Sequence, residues 1–483
     1  MYTWKTFGAS KTDLQQRLGS VNFWSLAEIG LYIQEALRTF NSIALFYRDR
    51  CVFTTTPGFA FYDLTAITGS ATHTPSMSIP SLPSDPSSPS APDAVTLVNT
   101  AGTGSGPQNP PAFLGYNLLD RDLISIIEYH LIEPQTAPNW SLPWAGTEQF
   151  TLADITRAIE RRRNQFLTVV GTHISHGVTP YGPPSGNGRI FLNDSIIDIK
   201  RVSFQKQDGT FIPLTLIDEQ EANTTAPGYE TSPATPIAFS SILQPPKGIQ
   251  IIPPSNDIGT IDLLFITNPP DLNEVTGIAL NIPDDLAWII KWGALADLLD
   301  KEGQAYDPDR AKYCEQRFED GLKVAMAYDT IYQVAINGQY VLPSSLYDFD
   351  FMNWNWQNIS GQPTDVALIG RNLIALSPVP DAAYSIQLDI LRNMPIPVLD
   401  ADFIQVGREH YDIILDYAAH LAFFKTQGAE FHGSYPMLDR FMQFSMMNNS
   451  KLAAMSKNYS IMREHNRKEE MDRPMLRSDV AAD

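Results

Sequence analysis

The strongest constraint on what this chain can fold into is a helix entrance that occurs twice. Trp24-Ser-Leu-Ala-Glu-Ile29 and Phe150-Thr-Leu-Ala-Asp-Ile155 each place a hydroxyl at an N-cap and an acid three residues later. Each side chain then satisfies the other's backbone N–H, and the flanking apolar pair staples the entry. A shift of 126 residues lays Ser25 on Thr151, Ile33 on Ile159 and Phe40 on Phe166. The stripe Ile29, Ile33, Ala36, Leu37, Phe40 predicts a helix of about five turns. A short helical pattern precedes each copy, Thr12–Leu18 and Arg121–Ile127. Any two well-capped amphipathic helices share such traits, but the common order of short helix, spacer and capped long helix favours duplication.

Strand patterns follow both long helices. Cys51-Val-Phe-Thr-Thr-Thr, Pro57-Gly58 and Phe59-Ala-Phe-Tyr read as strand, type II turn, strand. In the second copy, 189–204 and 210–217 flank Asp208-Gly209, a hairpin signal. A second echo, at an offset of 125, sets Ile249 on Ile374, Pro253 on Pro378, Ile289 on Ile414, Ala294 on Ala419 and Gly303 on Gly428. Each stretch reads as two short strands, a Pro-bounded turn and a buried helix. Asp307-Pro308 then caps one further helix, and Ser434-Tyr-Pro436 opens its counterpart.

Composition narrows the function. The 483 residues hold 34 Lys and Arg against 54 Asp and Glu, a net charge of -20, with 43% hydrophobic residues. This excludes wholesale disorder and broad phosphate neutralisation of a nucleic acid. Cys51 and Cys314 form no CxxC pair, so neither a disulfide framework nor a thiolate zinc site is expected. No secretory signal or membrane span is visible, and the chain reads as a soluble product of a reducing cytosol. The Pro-, Ser- and Gly-rich stretch 74–111 suits neither helix nor central strand, and no Lys or Arg occurs between Arg50 and Arg121. It reads as an insertion or linker.

Sites of chemistry are few. His173-Ile-Ser-His176 has loop-forming neighbours and no adjacent third ligand, and HExxH, Walker and nucleophile-elbow patterns are absent. No catalytic, cofactor or metal residue is assigned. The run Tyr347-Asp-Phe-Asp-Phe-Met-Asn-Trp-Asn-Trp356 is the most unusual segment. If extended, it sends its aromatics to one face and Asp348 and Asp350 to the other. One reading makes it carbohydrate-active or carbohydrate-binding, with Asp348 and Asp350 across a glycosidic bond and Trp354 and Trp356 stacking sugar. The other makes Phe349, Phe351, Trp354 and Trp356 interface anchors. Further interaction candidates are Arg161, Arg162 and Arg163 on the second long helix. The tail 451–477, including Arg463, Arg467, Lys468, Arg473 and Arg477, has seven basic residues against four acidic ones.

The order of elements resembles the head-to-tail adaptor (connector) proteins of tailed bacteriophages. The residues that carry the likeness are the Trp24–Ile29 entry, the Phe53–Tyr62 hairpin pattern, and Ile282-Pro-Asp-Asp-Leu286 leading to Asp307-Pro-Asp-Arg-Ala-Lys-Tyr313. The chain departs from typical adaptors in size, in its apparent duplication and in the Pro-rich insertion. The resemblance implies an α+β fold of helical modules with antiparallel hairpins and small sheets. It implies a non-enzymatic virion protein of the neck or tail, assembled in the host cytoplasm and needing no cofactor. It also implies a homo-oligomeric ring, a dodecamer, bound to portal and to tail or tail-tube protein, through which double-stranded DNA passes without specific binding and with no membrane partner. The expected organisation is a first helix-hairpin module (1–72), the insertion (73–118), a second adaptor-like module (119–330), a strand and helical-hairpin repeat (331–450) and a charged tail (451–483).

Overall fold

The computed structural model describes residues 5–19, 23–67, 70–71, 113–133, 149–182, 188–193, 195–225, 227–242, 246–267, 269–272, 277–303, 305–328, 331–426, 428–447 and 449. The whole Pro-rich stretch 74–111 and the whole basic tail, with Arg463, Arg467, Lys468, Arg473 and Arg477, lie outside these residues.

The chain opens with α1 (Phe7–Leu18), α2 (Leu26–Ala44), β1 (Arg48–Thr54), β2 (Phe61–Asp63) and β3 (Ser70–Ala71). The middle runs α3 (Asp120–Leu131), α4 (Leu152–Val170), β4 (Ile174–Tyr181), β5 (Arg189–Phe191), β6 (Ile196–Lys206), β7 (Phe211–Leu216) and α5 (Glu219–Thr225). It continues through β8 (Ala238–Ile242), β9 (Gly248–Ile252), β10 (Gly259–Thr267), α6 (Ala287–Leu299) and α7 (Pro308–Ala327). Then come β11 (Ile331–Ile336), β12 (Gln339–Val341), β13 (Pro343–Ser344), α8 (Leu346–Met352), β14 (Ser360–Gly361), β15 (Asp365–Ile369), β16 (Leu373–Ser377), β17 (Val379–Pro380) and β18 (Ser385–Leu391). Three helices close the described chain: α9 (Arg408–Thr426), α10 (Gly428–Gly433) and α11 (Tyr435–Met447). The fold is α+β.

The caps form as their sequences dictate. Both Ser25 and Thr151 complete capping boxes, with Glu28 and Asp154. Asp307 accepts from the Arg310 N–H, with Pro308 in the first turn. Asp208-Gly209 joins β6 to β7 as an antiparallel pair, and Gly209 takes the positive φ (87°) that a tight turn requires.

The Phe53–Tyr62 pattern behaves differently from the expected hairpin. Gly58 does turn the chain (φ 81°), yet β1 lies between β18 and β3 while β2 pairs with β16 in another sheet. The reason is burial: Cys51 and Phe53 from one sheet and Tyr62, Ile374 and Leu376 from the other share one core. The segment therefore arches over that core instead of folding back on itself.

Strand pairing reveals a nested repeat. The middle sheet runs β4-β10-β6-β7-β8-β9-β5, and the remaining strands run β12-β11-β18-β1-β3, β13-β15-β16-β2 and β14-β17. Each pairing of the middle sheet has its counterpart in the other set, where β1·β3 and β14·β17 are additions: β4·β10 with β1·β18, β6·β10 with β11·β18, β6·β7 with β11·β12, β8·β9 with β15·β16, and β5·β9 with β2·β16. Even the parallel pair β7·β8 is matched by β13·β15. Registers agree as well, since Arg50 stands opposite Asp389 as His176 stands opposite Leu264.

The helices repeat the theme. In the middle of the chain α3, α4, α6 and α7 pack together, and α1, α2, α9 and α11 do the same for the two ends. In each bundle a lysine from the third helix, or just past its end, reaches the N3 acid of the long helix. Lys301 lies 3.0 Å from Asp154, and Lys425 lies 3.0 Å from Glu28. Residues 120–327 thus form an inner copy, and 7–63 with 331–447 form an outer copy wrapped around it. One apolar core runs through both bundles.

Candidate interaction surfaces

The arginine triplet on α4 divides by helical geometry. Arg162 is buried and its guanidinium forks to Asp297 (2.6 Å) and Glu315 (2.7 Å) while covering the Phe318 ring. Arg163 is fully buried and donates to the carbonyl of Pro270 at 3.1 Å. Both hold the inner bundle together. Only Arg161 projects to solvent, with its side chain 71% exposed. Arg157, one turn earlier, and Gln165 and Val169 further on share that exposed stripe. The sequence reading did not single out Arg157.

The aromatic segment is helical from Tyr347 to Met352, where alternation assumed an extended strand. The signal for this lay in Ser345-x-x-Asp348, which forms a third capping box and starts α8. Asp348 is used as that cap. Asp350 accepts both arms of Arg201 from β6, at 2.8 and 2.7 Å, and the indole N–H of Trp356 at 2.9 Å. Phe349 and Trp356 are buried against Ile174, Leu264 and Ile266 of the inner copy. Tyr347, Phe351 and Trp354 remain exposed. The two carboxylates are therefore a helix cap and an ion-pair partner, and α8 acts as an anchor by which the outer copy grips the inner sheet.

Beside this anchor, Asp262 binds His176 and accepts from Gln357 at 2.7 Å. Burial alone raises its carboxyl, but these hydrogen bonds and Arg201 outweigh it and hold the group below the usual carboxylate range. His173 lies 3.9 Å from Asp63, with burial lowering its imidazole. Among the described residues no group of three His, Cys, Asp or Glu is placed to hold a metal.

Within the apolar core shared by the two helical bundles, several contacts between them are polar and deeply buried. Lys291 of α6 binds Glu35 of α2, beside His130 and over the Trp292 ring. Trp288 donates to Ser42 at 3.1 Å, Arg317 to the Tyr417 hydroxyl at 2.9 Å, and Tyr313 meets His420 at 2.7 Å. Burial pulls the Lys291 ammonium below its ordinary value against the opposing pull of Glu35. It also keeps His130 neutral. Asp285, bonded to Asn41 and to the Met394 N–H, is pushed by burial up to about 7.

This inner copy is also what matches a known family. Residues 121–337 fit the family model described as SU10 adaptor protein, a span that begins in α3 and ends just past β11. The match covers less than half of the 483-residue chain and makes these residues similar to a phage head-to-tail adaptor family. Among curated proteins none matches the chain. No described helix is long and apolar enough to cross a membrane.

A further surface lies on the outer copy. A cavity of about 800 Å³ is lined by Arg48, Arg50, Tyr332, Tyr340, Leu342 and Asp389 among others. Its rim is apolar and open, with Leu342 90% and Tyr340 62% exposed. Arg50 pairs with Asp389 at 2.7 Å, and Arg48 stacks on Tyr332 at 4.1 Å. Nothing in the sequence signalled it, because its walls come from β1, β11, β12 and β18, which are more than 300 residues apart at their extremes.

Proposed function

We propose that this protein is a structural neck adaptor that oligomerises into a ring between portal and tail and leaves an axial channel for DNA. The observation that supports this most is the family match over a complete copy of the module. A packed, ion-paired second copy of the same arrangement supports it further. The chemistry of such a protein is surface complementarity, and the exposed elements that suit it are the α4 stripe, the aromatics Tyr347, Phe351 and Trp354, and the open cavity of the outer sheet. The net charge of -20 suits a conduit, because an acidic lining lacks the Lys and Arg contacts that would trap phosphates. The twelve-fold order and the partners, portal on one side and tail or tail-tube protein on the other, are carried from the family resemblance. Negative-stain imaging of the purified protein, alone and with portal, tests the reading. Rings coaxial with portal are the expected result, and a particle that stays monomeric with portal present refutes it.

A further inference from the structure

The contact between the two copies inside the chain is not a two-fold one. The outer copy presents α2, α9 and the α8 anchor, and the inner copy presents α3, α6, α7 and the β4·β10·β6 face. A contact made by two different faces leaves one of each unused and can be repeated from molecule to molecule. The unused faces are identified by the correspondence of the copies.

On α2, Leu31, Glu35, Thr39 and Ile43 form one stripe, within which Glu35 holds Lys291 of the inner copy while the neighbouring Ser42 accepts from Trp288. The offset of 126 puts Arg157, Arg161, Gln165 and Val169 of α4 at the same positions, and these are exposed. The partner position of Lys291, shifted by 125, is Asp416 of α9, flanked by the exposed Asp412. Glu35 against Lys291 inside the chain thus becomes Arg161 against Asp416 on the unused faces, with the charges exchanged. Arg17 of α1 and Arg440 of α11 also face Asp416.

The sheets give the same answer independently. Arg201, which receives Asp350 of the α8 anchor, and His176 stand opposite Leu264. Their outer counterparts Gln333 and Arg50 stand opposite Asp389 and line the 800 Å³ cavity. The counterpart of α8 is α5, both being seven-residue helices that bridge a parallel strand pair. A shift of 127 lays buried Phe349 on buried Ala222 and buried Trp356 on buried Tyr229. The α5 segment carries Asp218, Glu219 and Glu221 on its exposed side, a charge complementary to Arg48 and Arg50 in the wall of the outer-sheet cavity.

We propose that a second copy of this chain docks its inner module on the outer module of the first, α4 against α9 and α5 into the cavity of the outer sheet. The relation is the one the two modules already have within the chain. Each chain fills two consecutive module positions of the assembly, so the chain count is half the number of positions. This rests on the ring reading above and adds the surfaces that make it.

Two measurements on the full chain test it. Thr168 and Ile413 are the counterparts of Ser42 and Trp288, which touch within the chain. Mixing a Thr168→Cys chain with an Ile413→Cys chain and adding a short bis-maleimide is expected to give covalent dimers, with neither variant alone giving any. The native thiols, Cys51 and Cys314, are buried. Second, Arg157→Glu with Arg161→Glu sets like charges together and is expected to weaken assembly, read by mass photometry, by at least about tenfold. If wild-type rings form but the mixture does not cross-link and the double variant assembles as well as wild type, the docking is overturned while the ring reading stands. If the wild type stays monomeric with portal present, the ring reading falls and the docking falls with it.

Discussion

Removing Glu35 exposes how the two copies are held together. Lys291 has a side chain with 0% exposure and Glu35 one with 6%, so neither charge can turn to water when its partner is lost. Breaking a buried pair from one side costs about 3–5 kcal/mol, whereas replacing both partners with apolar groups of similar volume is often near neutral. Glu35→Leu should therefore destabilise the chain by about 3–5 kcal/mol, reduced by up to about 2 kcal/mol through the Trp292 ring that still faces the ammonium. Lys291→Met should cost a similar amount, and the double variant should lie within about 1 kcal/mol of wild type. Urea unfolding followed by tryptophan fluorescence reads this directly, because Trp288 and Trp292 sit beside the pair. The sign with pH is also fixed. In Glu35→Leu the unpaired Lys291 has a folded pKa depressed below its unfolded value, so the folded state sheds its proton first and stability rises with pH. The deficit should thus shrink between pH 7 and 9. If Glu35→Leu costs less than about 1 kcal/mol, or the two single losses simply add in the double variant, the ion pair does not join the copies as described.

Asp285 gives a second pH test. Its folded pKa of about 7 lies above the ordinary 3.8, so the folded state holds the proton more tightly and stability falls as pH rises from about 4 to 7. At 1.36 kcal/mol per pH unit the loss reaches about 4 kcal/mol, and Asp285→Asn should flatten thermal stability across that window. Trp356→Ala removes the largest anchor between the sheets, beside Phe349 and Phe61, and should cost about 3–5 kcal/mol, with faster proteolysis near α8. Gly321→Leu should loosen α6 from α7 by about 1–3 kcal/mol in urea unfolding, since even a Cβ there would come within 2.7 Å of Ile289.

What the sequence revealed follows the range of the interactions. The capping boxes at Ser25 and Thr151 and the Asp208-Gly209 turn depend on residues within a few positions, and they were legible. The box at Ser345 was equally local and was missed, because the alternation of Tyr347, Phe349 and Phe351 drew attention to period two. The partners of β1 and β2 were beyond reach, being strands more than 300 residues away chosen by a shared core. The echoes at 126 and 125 are both legible, but that they describe one nested repeat shows only in the strand pairing that joins residues 48–54 to 385–391. The triplet Arg161 to Arg163 read as one basic patch, and only the packing of α4 on α6 and α7 separated one exposed arginine from two buried ones.

The nesting of one copy within the other also dictates an order of events during synthesis. β1 ends at residue 54 and its partner β18 begins at 385, so the first strand leaves the ribosome on the order of half a minute before its neighbour exists, at roughly 5–20 residues per second. The inner copy, closed by residue 327, is finished first. It is the surface on which α2 can wait: Glu35 and Ser42 meet Lys291 and Trp288 long before α9 emerges. A nascent chain stalled after α7 should already protect α2 from protease while leaving β1 open to cleavage.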